Sequence, residues 1–379
     1  MKKEIMILLS FTLLLLSFQP ANVNNASVQV PLQKVAVIID SQEFYHSSYV
    51  DDILDGFSAI NTTFLIDYDV FHLTNYSLVS TNPYLVSYTY NDTVTNHTQL
   101  IQDLIVINEY DLFVIIGYEL RRGFIDIAQL SENNFLFYDL SGEYPAFNTA
   151  EIPSNLFIIS FQDHEEAFLA GSLAVEKFLP LPQKIAVVGT YKGDPRSRRL
   201  IAGFQSAVFR HSTNVDIKIF YVDSFVDRVK VQSIGYDLNN QGYGLVFSAL
   251  QANNTLELIN SFTGGPMVSV DLNLTPSVMK NNSYVIYDVF SSFNESGGFS
   301  GGVVATYGLS DNVFVANGWN DPSMVNKTII ELIDEVTSKG LVIPSEIVYA
   351  SNTPGFSFLI MIFSITGLII IRKKTTKGR

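Results

Sequence analysis

The 379-residue chain contains no cysteine. That excludes disulfides, thiolate-held metal and the acylated cysteine that tethers bacterial lipoproteins. Histidine is scarce, and the five present (His46, His72, His97, His164, His211) show no paired spacing for a metal. Basic charge is sparse as well: 23 Lys and Arg stand against 37 Asp and Glu. Phosphate-backbone binding needs clustered Lys and Arg, so nucleic acid is excluded as a partner. Phosphate loops are missing. Gly189 to Gly193 lacks the closing Gly-Lys-Ser/Thr, and no Gly-x-Gly-x-x-Gly follows a strand. Gly298-Phe299-Ser300-Gly301-Gly302 does spell Gly-x-Ser-x-Gly. A nucleophile elbow, however, must follow a strand, precede a helix and have its His later in the chain. Here a strand follows and the last histidine, His211, lies upstream, so the segment reads as a glycine-rich loop. No nucleophile, base and orienter converge, and neither an enzyme nor a cofactor is expected.

What is present begins with the two ends. Lys2 and Lys3 precede an apolar run from Ile5 to Phe18, too short to span a bilayer comfortably, which reads as a secretory signal over residues 1–27. Ala21 and Ala26 are small residues near possible cleavage points, and an uncleaved anchor is the alternative. At the other end, Phe356 to Ile371 carries no charge and stops at Arg372-Lys373-Lys374. It is expected to be a transmembrane helix, slightly short of the usual ~20 residues, with a cytoplasmic basic tail over 372–379. The body between would then lie outside the cell, tethered to the cell membrane by a single pass. It holds 16 basic against 36 acidic side chains, a balance suited to solubility. Asn-x-Ser/Thr sequons begin at Asn25, Asn61, Asn75, Asn91, Asn96, Asn253, Asn273, Asn281, Asn294 and Asn326, and suit a glycosylated outer surface.

Residues 30–345 are too many for one core, and two lobes are expected. Continuous apolar runs such as Gln33 to Ile39, Asp111 to Gly117, Asn134 to Leu140, Leu156 to Phe161, Lys184 to Gly189, Tyr243 to Ala249 and Pro266 to Asp271 fit parallel strands covered on both faces. A further strand is expected over Thr63 to Leu73. Helical patterns alternate with the strands, at Ser48 to Ile60, Thr98 to Asn108, Arg121 to Leu130, Asp163 to Phe178 and Pro195 to His211. The fold class is therefore α/β, with two doubly wound parallel-sheet lobes. Lobe one is expected over 30–155, completed by about 280–305. Lobe two is expected over 156–275, completed by about 306–345, with a linker at 346–355. Ligands of open α/β sheets gather beyond the carboxyl ends of strands, where Asp40, Gly117, Asp139, Gly189 and Asp271 fall. His164, Glu165 and Glu166 read as a solvated first helical turn. Arg196, Arg198 and Arg199 read as a helix-start cluster, either solvated or able to hold an anion.

Four segments carry a family likeness. Phe161 to Ala174 (FQDHEEAFLAGSLA) contains Phe-x-x-x-Glu-x-x-Phe-Leu-Ala-Gly, and Lys184 to Phe204 is a strand, Gly turn and helix ending in Ala-Gly-Phe. Tyr221 to Asp227 contains Ser-Phe-x-Asp, and Gly301 to Val313 contains Gly-Gly-Val-x-x-x-x-Gly-Leu-x-x-x-Val. In this order the segments resemble the basic membrane protein family, the PnrA-like nucleoside-binding components of ABC transporters. The resemblance implies a type I periplasmic-binding fold: two lobes, three crossovers and a hinge closing over a ligand in the cleft. It also implies a small-molecule ligand, purine nucleosides in the family, delivered to an ABC permease. The family recognises the base with stacked rings and an Asp, and the ribose with an Asp and a Lys.

Carried over residue by residue, the family's first-lobe Ser-Phe-Asn falls on Glu43-Phe44-Tyr45, so Phe44 can stack while Tyr45 replaces Asn. Asp139 matches the base-edge Asp, and Asp271 and Asn273 match the Val-Asp-x-Asp turn, with Asn in the second place. Leu200 stands where the family has a second ring, Gly117-Tyr118 matches a Gly-aromatic strand end, and Asp40 ends the first strand. The ribose lysine falls near Tyr287 or Asp288, leaving that cation absent. The competing role for Asp40, Asp139 and Asp271 is helix capping, and for Phe44 and Tyr118 lobe packing. Asn273 also opens a sequon, which conflicts with a buried ligand role. A second functional reading is a membrane-anchored ligand sensor of the same fold that signals through a partner.

Overall fold

A computed structural model describes residues 32–40, 48–74, 77–80, 88–89, 110–117, 128, 131–139, 152–212, 214–224, 227–270, 272 and 276–347. The strands expected from apolar runs form two sheets. In the first, β1 (Lys34–Asp40) lies between β2 (Asp67–Thr74) and β5 (Leu112–Ile116), both parallel to it. The order continues outward through β6 (Asn134–Tyr138), β7 (Leu156–Phe161) and β13 (Val303–Tyr307) on one side. On the other side, the short β3 (Ser77–Ser80) and β4 (Tyr88–Thr89) add on antiparallel to β2. The second sheet runs β14 (Phe314–Asn317), β12 (Ser277–Lys280), β11 (Met267–Val270), β10 (Leu245–Ala249), β8 (Lys184–Gly189), β9 (Asp216–Tyr221), all parallel except β14.

Burial explains why the central strands read as unbroken apolar runs. Every residue of β5, β10 and β11 is buried, because helices cover both faces of a parallel sheet. In the first lobe α1 (Ser48–Phe64) packs on α6 (Asn282–Ser296). In the second, α2 (Asp163–Lys177) packs along α3 (Pro195–His211), and α4 (Arg228–Asn240) pairs with α5 (Ala252–Ser261). The last helix, α7 (Pro322–Thr337), rests partly on α2. The strand expected over Thr63 to Leu73 begins later, at Asp67. α1 runs on to Phe64 and the chain reverses through Leu65, whose φ of 57° and bond to the Asn61 carbonyl make it a left-handed helix cap.

β7 belongs to the first sheet, so the first lobe keeps the chain to Phe161 and the handover falls at Phe161–Asp163 rather than at 155. The chain changes lobe three times: from β7 into α2, from β12 into α6, and from β13 through a 3-10 turn (Leu309–Asp311) into β14. The expected helices at Thr98 to Asn108 and Arg121 to Leu130, the signal segment and the C-terminal apolar run lie outside the described residues, save Ala128. Among the described residues no helix is long and apolar enough to cross a membrane.

Candidate functional site

The three crossovers meet at one place, and their backbones are tied to one another. The Gln162 amide donates to the Tyr307 carbonyl at 2.8 Å, and the Asn281 amide donates to the Val313 carbonyl at 2.7 Å. The Leu309 amide donates to Glu165 Oε2 at 2.7 Å. Burial pushes the Glu165 carboxyl upward, and the Leu309 bond partly opposes that. His164, beside it, is pushed downward by burial. The first turn of α2 is therefore not the solvated surface expected from its acids. Asp163 and Glu166 are fully buried, because the turn forms the junction between the lobes.

Lys280 occupies the centre of that junction. It is the last residue of β12 in the second sheet, it is buried, and its side chain crosses to the first. Its Nζ lies 2.9 Å from Oδ2 of Asp139, the residue that follows β6, which also accepts from the Tyr49 hydroxyl at 3.3 Å. The same ammonium lies 3.2 Å from Asp163 Oδ1, 3.9 Å from Glu166 Oε2, and 4.8 Å from the centre of the Phe161 ring. Asp139 holds a φ of 57°, a left-handed conformation that Asp tolerates better than most residues, and this turns its carboxylate toward the lysine. A charge taken this far from water requires partners on every side, and three carboxylates supply them.

Two arginines extend the cluster from α3. Arg199 donates to Asp163 Oδ2 through Nη2 at 2.7 Å and Nε at 3.2 Å, and Arg196 Nε lies 3.6 Å from Oδ1. Burial works against the ionised Asp163, but Lys280, Arg196 and Arg199 outweigh it and hold the carboxyl below its ordinary range. Arg196 and Arg199 thus neither lie free in solvent nor await an anion but serve the junction, while Arg198 stays at the surface, paired with Glu346. The amino end of α3 is also already occupied. Asp194 accepts from the Arg196 amide at 3.0 Å and from the Thr190 hydroxyl, with Pro195 in the first turn. Replacing Asp194 by Ala is expected to lower stability by about 1 kcal/mol, read as a shift of the urea midpoint, with the fold unchanged.

Of the residues expected at the site, Asp139 stands at the junction with its carboxylate committed to Lys280 and Tyr49. Leu200 is buried in the apolar core, one residue beyond Arg199. Asp40 ends β1 by its backbone, pairing with Leu73, and Gly117 closes β5 with a φ of 126°. Phe44, Tyr45, Tyr118, Asp271 and Asn273 lie outside the described residues. The cation looked for near Tyr287 or Asp288 is not there: Tyr287 stacks on Phe64, and Asp288 accepts from the Tyr307 hydroxyl. The buried lysine of the junction, Lys280, comes from a different element.

Two parallel sheets whose carboxyl tips meet across three crossovers define a two-lobed solute-binding protein of the type I periplasmic-binding class. The chain belongs to the PnrA-like ABC transporter substrate-binding family: residues 32–256 match its model, described as "ABC transporter substrate-binding protein PnrA-like". It is similar to basic membrane protein A of Borreliella afzelii, with 27% identity over 62% of this chain and 74% of that protein. It is also similar to basic membrane protein A1 of Borrelia garinii subsp. bavariensis, with 24% identity over 84% of this chain and 90% of that one. In fold it resembles an ABC transporter solute-binding protein from Conexibacter woesei, with a TM-score of 0.61 at 15% identity, over 83% of this chain and 99% of that one.

Proposed function

We propose that this protein captures a nucleoside-like small molecule in the interlobe cleft, outside the cell, and hands it to an ABC permease in the membrane to which its C-terminal helix anchors it. The observation that carries this reading is Asp139 held at the meeting point of the two sheets by Lys280. A carboxylate in an ion pair only accepts hydrogen bonds, so it selects ligand groups that donate them: sugar hydroxyls, or the N–H edge of a base. Asp40, which ends β1, and Asp271, which follows β11 in the sequence, add further acceptors. Phe44 and Tyr118 offer faces for a planar ring, and Tyr45 and Asn273 its polar surroundings. Leu200 supplies apolar backing from α3 rather than a ring. Closure of the lobes about the three crossovers then sequesters the ligand, and opening releases it. The protein acts as a carrier, without changing its ligand.

A thermal-shift panel on the purified full chain tests this. Adenosine, guanosine and inosine are set against hexoses, amino acids and short peptides. At a hundred times Kd a bound ligand stabilises by about 2.7 kcal/mol, enough to move the melting point by several degrees. A shift confined to nucleosides is expected, and it should vanish in Asp139→Asn and Asp271→Ala. A shift produced by another class, with none from nucleosides, overturns the ligand assignment.

A further inference from the structure

Contacts along α3 fix where the chain leaves the second lobe. That helix starts at the junction, where Arg196 and Arg199 near its amino end reach Asp163. It ends at the opposite pole of the lobe. β9 begins just beyond it, and the Asp216 amide donates to the carbonyl of Gln183, the residue before β8. α7 finishes beside the same pole, where both Nη atoms of Arg210 donate to the Glu335 carboxylate at 2.8 Å. The strap that follows, 338–347, then runs back. The Leu341 amide donates to the Glu335 carbonyl at 2.9 Å, Ile343 is buried, and Ile347 is half-buried against the apolar core. Glu346 pairs with Arg198, which stands between the two junction arginines in the sequence. Arg198 and Arg210 lie about 18 Å apart along α3, so the strap carries the chain from the pole back to the level of the crossovers.

Only eight residues, 348–355, separate that point from the apolar run that opens at Phe356. Fully extended they reach about 30 Å. The 17 residues of α3 measure about 25 Å from junction to pole. To stand the molecule on the pole of its second lobe, the linker would retrace nearly all of α3 and have almost no length left. To stand it on the other pole, the linker would have to pass along the whole first lobe. A molecule held at its waist needs neither.

Given the anchored reading above, on which this rests, we propose that the tether holds the protein side-on. Its waist faces the bilayer and its pole-to-pole axis lies along it, so that both lobes are within reach of one permease. A partner responds to closure only if its contacts differ between the open and closed states. Closure moves one lobe against the other, so a surface that includes both lobes meets that condition and a single pole does not. Glu335, Arg198 and Arg210 all belong to the second lobe, which leaves the first free to swing about the three crossovers.

Energy transfer from single cysteine labels, in a chain with no cysteine of its own, measures the orientation. Glu132→Cys marks the pole of the first lobe and Asn214→Cys that of the second; both positions are exposed, just before β6 and β9. The labelled full chain is reconstituted in phosphatidylcholine vesicles that carry an acceptor dye on their headgroups. Transfer is expected from both poles, with efficiencies within about twofold of each other, because side-on poles about 25 Å either side of the waist stand at like heights. Inserting about 20 flexible Gly and Ser residues after Ser351 should lower both efficiencies and leave the melting temperature unchanged. Strong transfer from one pole with little from the other means an upright molecule, since the poles are about 50 Å apart, and overturns the proposal. Transfer that the insertion leaves unchanged overturns it too. Flotation of the vesicles separates this failure from that of the anchor. A chain that floats with them yet stands upright sinks the orientation alone. A chain that stays behind sinks the anchored reading and the orientation with it.

Discussion

Replacing Lys280 by Met is expected to lower stability at neutral pH by about 3–5 kcal/mol, the usual consequence of removing one partner from a buried ionic cluster. Methionine fills much of the same volume, so the loss is electrical rather than steric. Asp139, Asp163 and Glu166 all face the Lys280 ammonium, and Arg196 and Arg199 also reach Asp163. Without the lysine, Asp139 and Glu166 lose a buried counter-charge. In the parent the cluster holds the Asp163 carboxyl below its unfolded value, so its contribution is present above that value and lost as pH falls through the folded one. In the variant the buried carboxylates have lost that counter-charge, and acid, which neutralises carboxylates, relieves the loss. The gap between the two proteins should therefore close on acidification through the carboxylate range, around pH 4. Urea midpoints at pH 7 and pH 4.5 provide the measurement. A gap of the same size at both values would mean that packing, not charge, accounts for the loss. Adding Asp139→Asn to Lys280→Met should recover part of it at pH 7, because one stranded charge is then gone.

The scaffold was legible because its signals are local. β7, β8 and α3 start and stop where their apolar runs, the Asp194-Pro195 cap and the flanking turns say they do. The short outer strands were not legible. β3, β4 and β14 are antiparallel additions whose pairing is decided by the strand they join, and four residues such as Phe314–Asn317 carry no period of their own. The lobe boundary was misplaced for a related reason. β7 and β8 follow one another in sequence with only α2 between, and nothing local says that they enter different sheets.

The site was half legible. Asp139 could be placed by the rule that ligands collect at strand tips, and the structure puts it where the two sheets meet. Lys280 was not placed, since a lysine closing a short strand before two asparagines reads as an exposed end. A signal did exist. Helix α2 is buried along most of its length, and a buried helix opening with Asp163 and Glu166 needs a cation from elsewhere in the chain. Arg196 and Arg199 read from the sequence as a helix-start cluster, solvated or able to hold an anion, because spacing shows that they share a helix start but not that Asp163 faces it.

The second large effect is expected from a single methyl group. Two of the segments that carry the family likeness, one ending Phe168-Leu169-Ala170-Gly171 and the other Ala202-Gly203-Phe204, are the two sides of the α2–α3 contact. A Cβ at Gly203 would lie 1.9 Å from the His164 carbonyl oxygen, and one at Gly171 would lie 2.7 Å from Ala207 Cβ. The His164 contact is with backbone, so no side chain can rotate away and the helices must separate. Gly203→Ala is accordingly expected to cost about 3 kcal/mol, at the upper end of overpacking substitutions, despite the better helix propensity of alanine. His164 adjoins Asp163, so parting the helices also draws Asp163 from Lys280 and Arg199 and loosens the junction. Melting temperature and solute affinity should therefore fall together in Gly203→Ala. In Gly193→Ala, where an added Cβ meets nothing within 4 Å, both should stay near the parent values. If Gly203→Ala melts like the parent, the close approach of α2 and α3 is not what these glycines secure. If it melts lower yet binds as the parent does, the junction does not depend on the seam between the two helices.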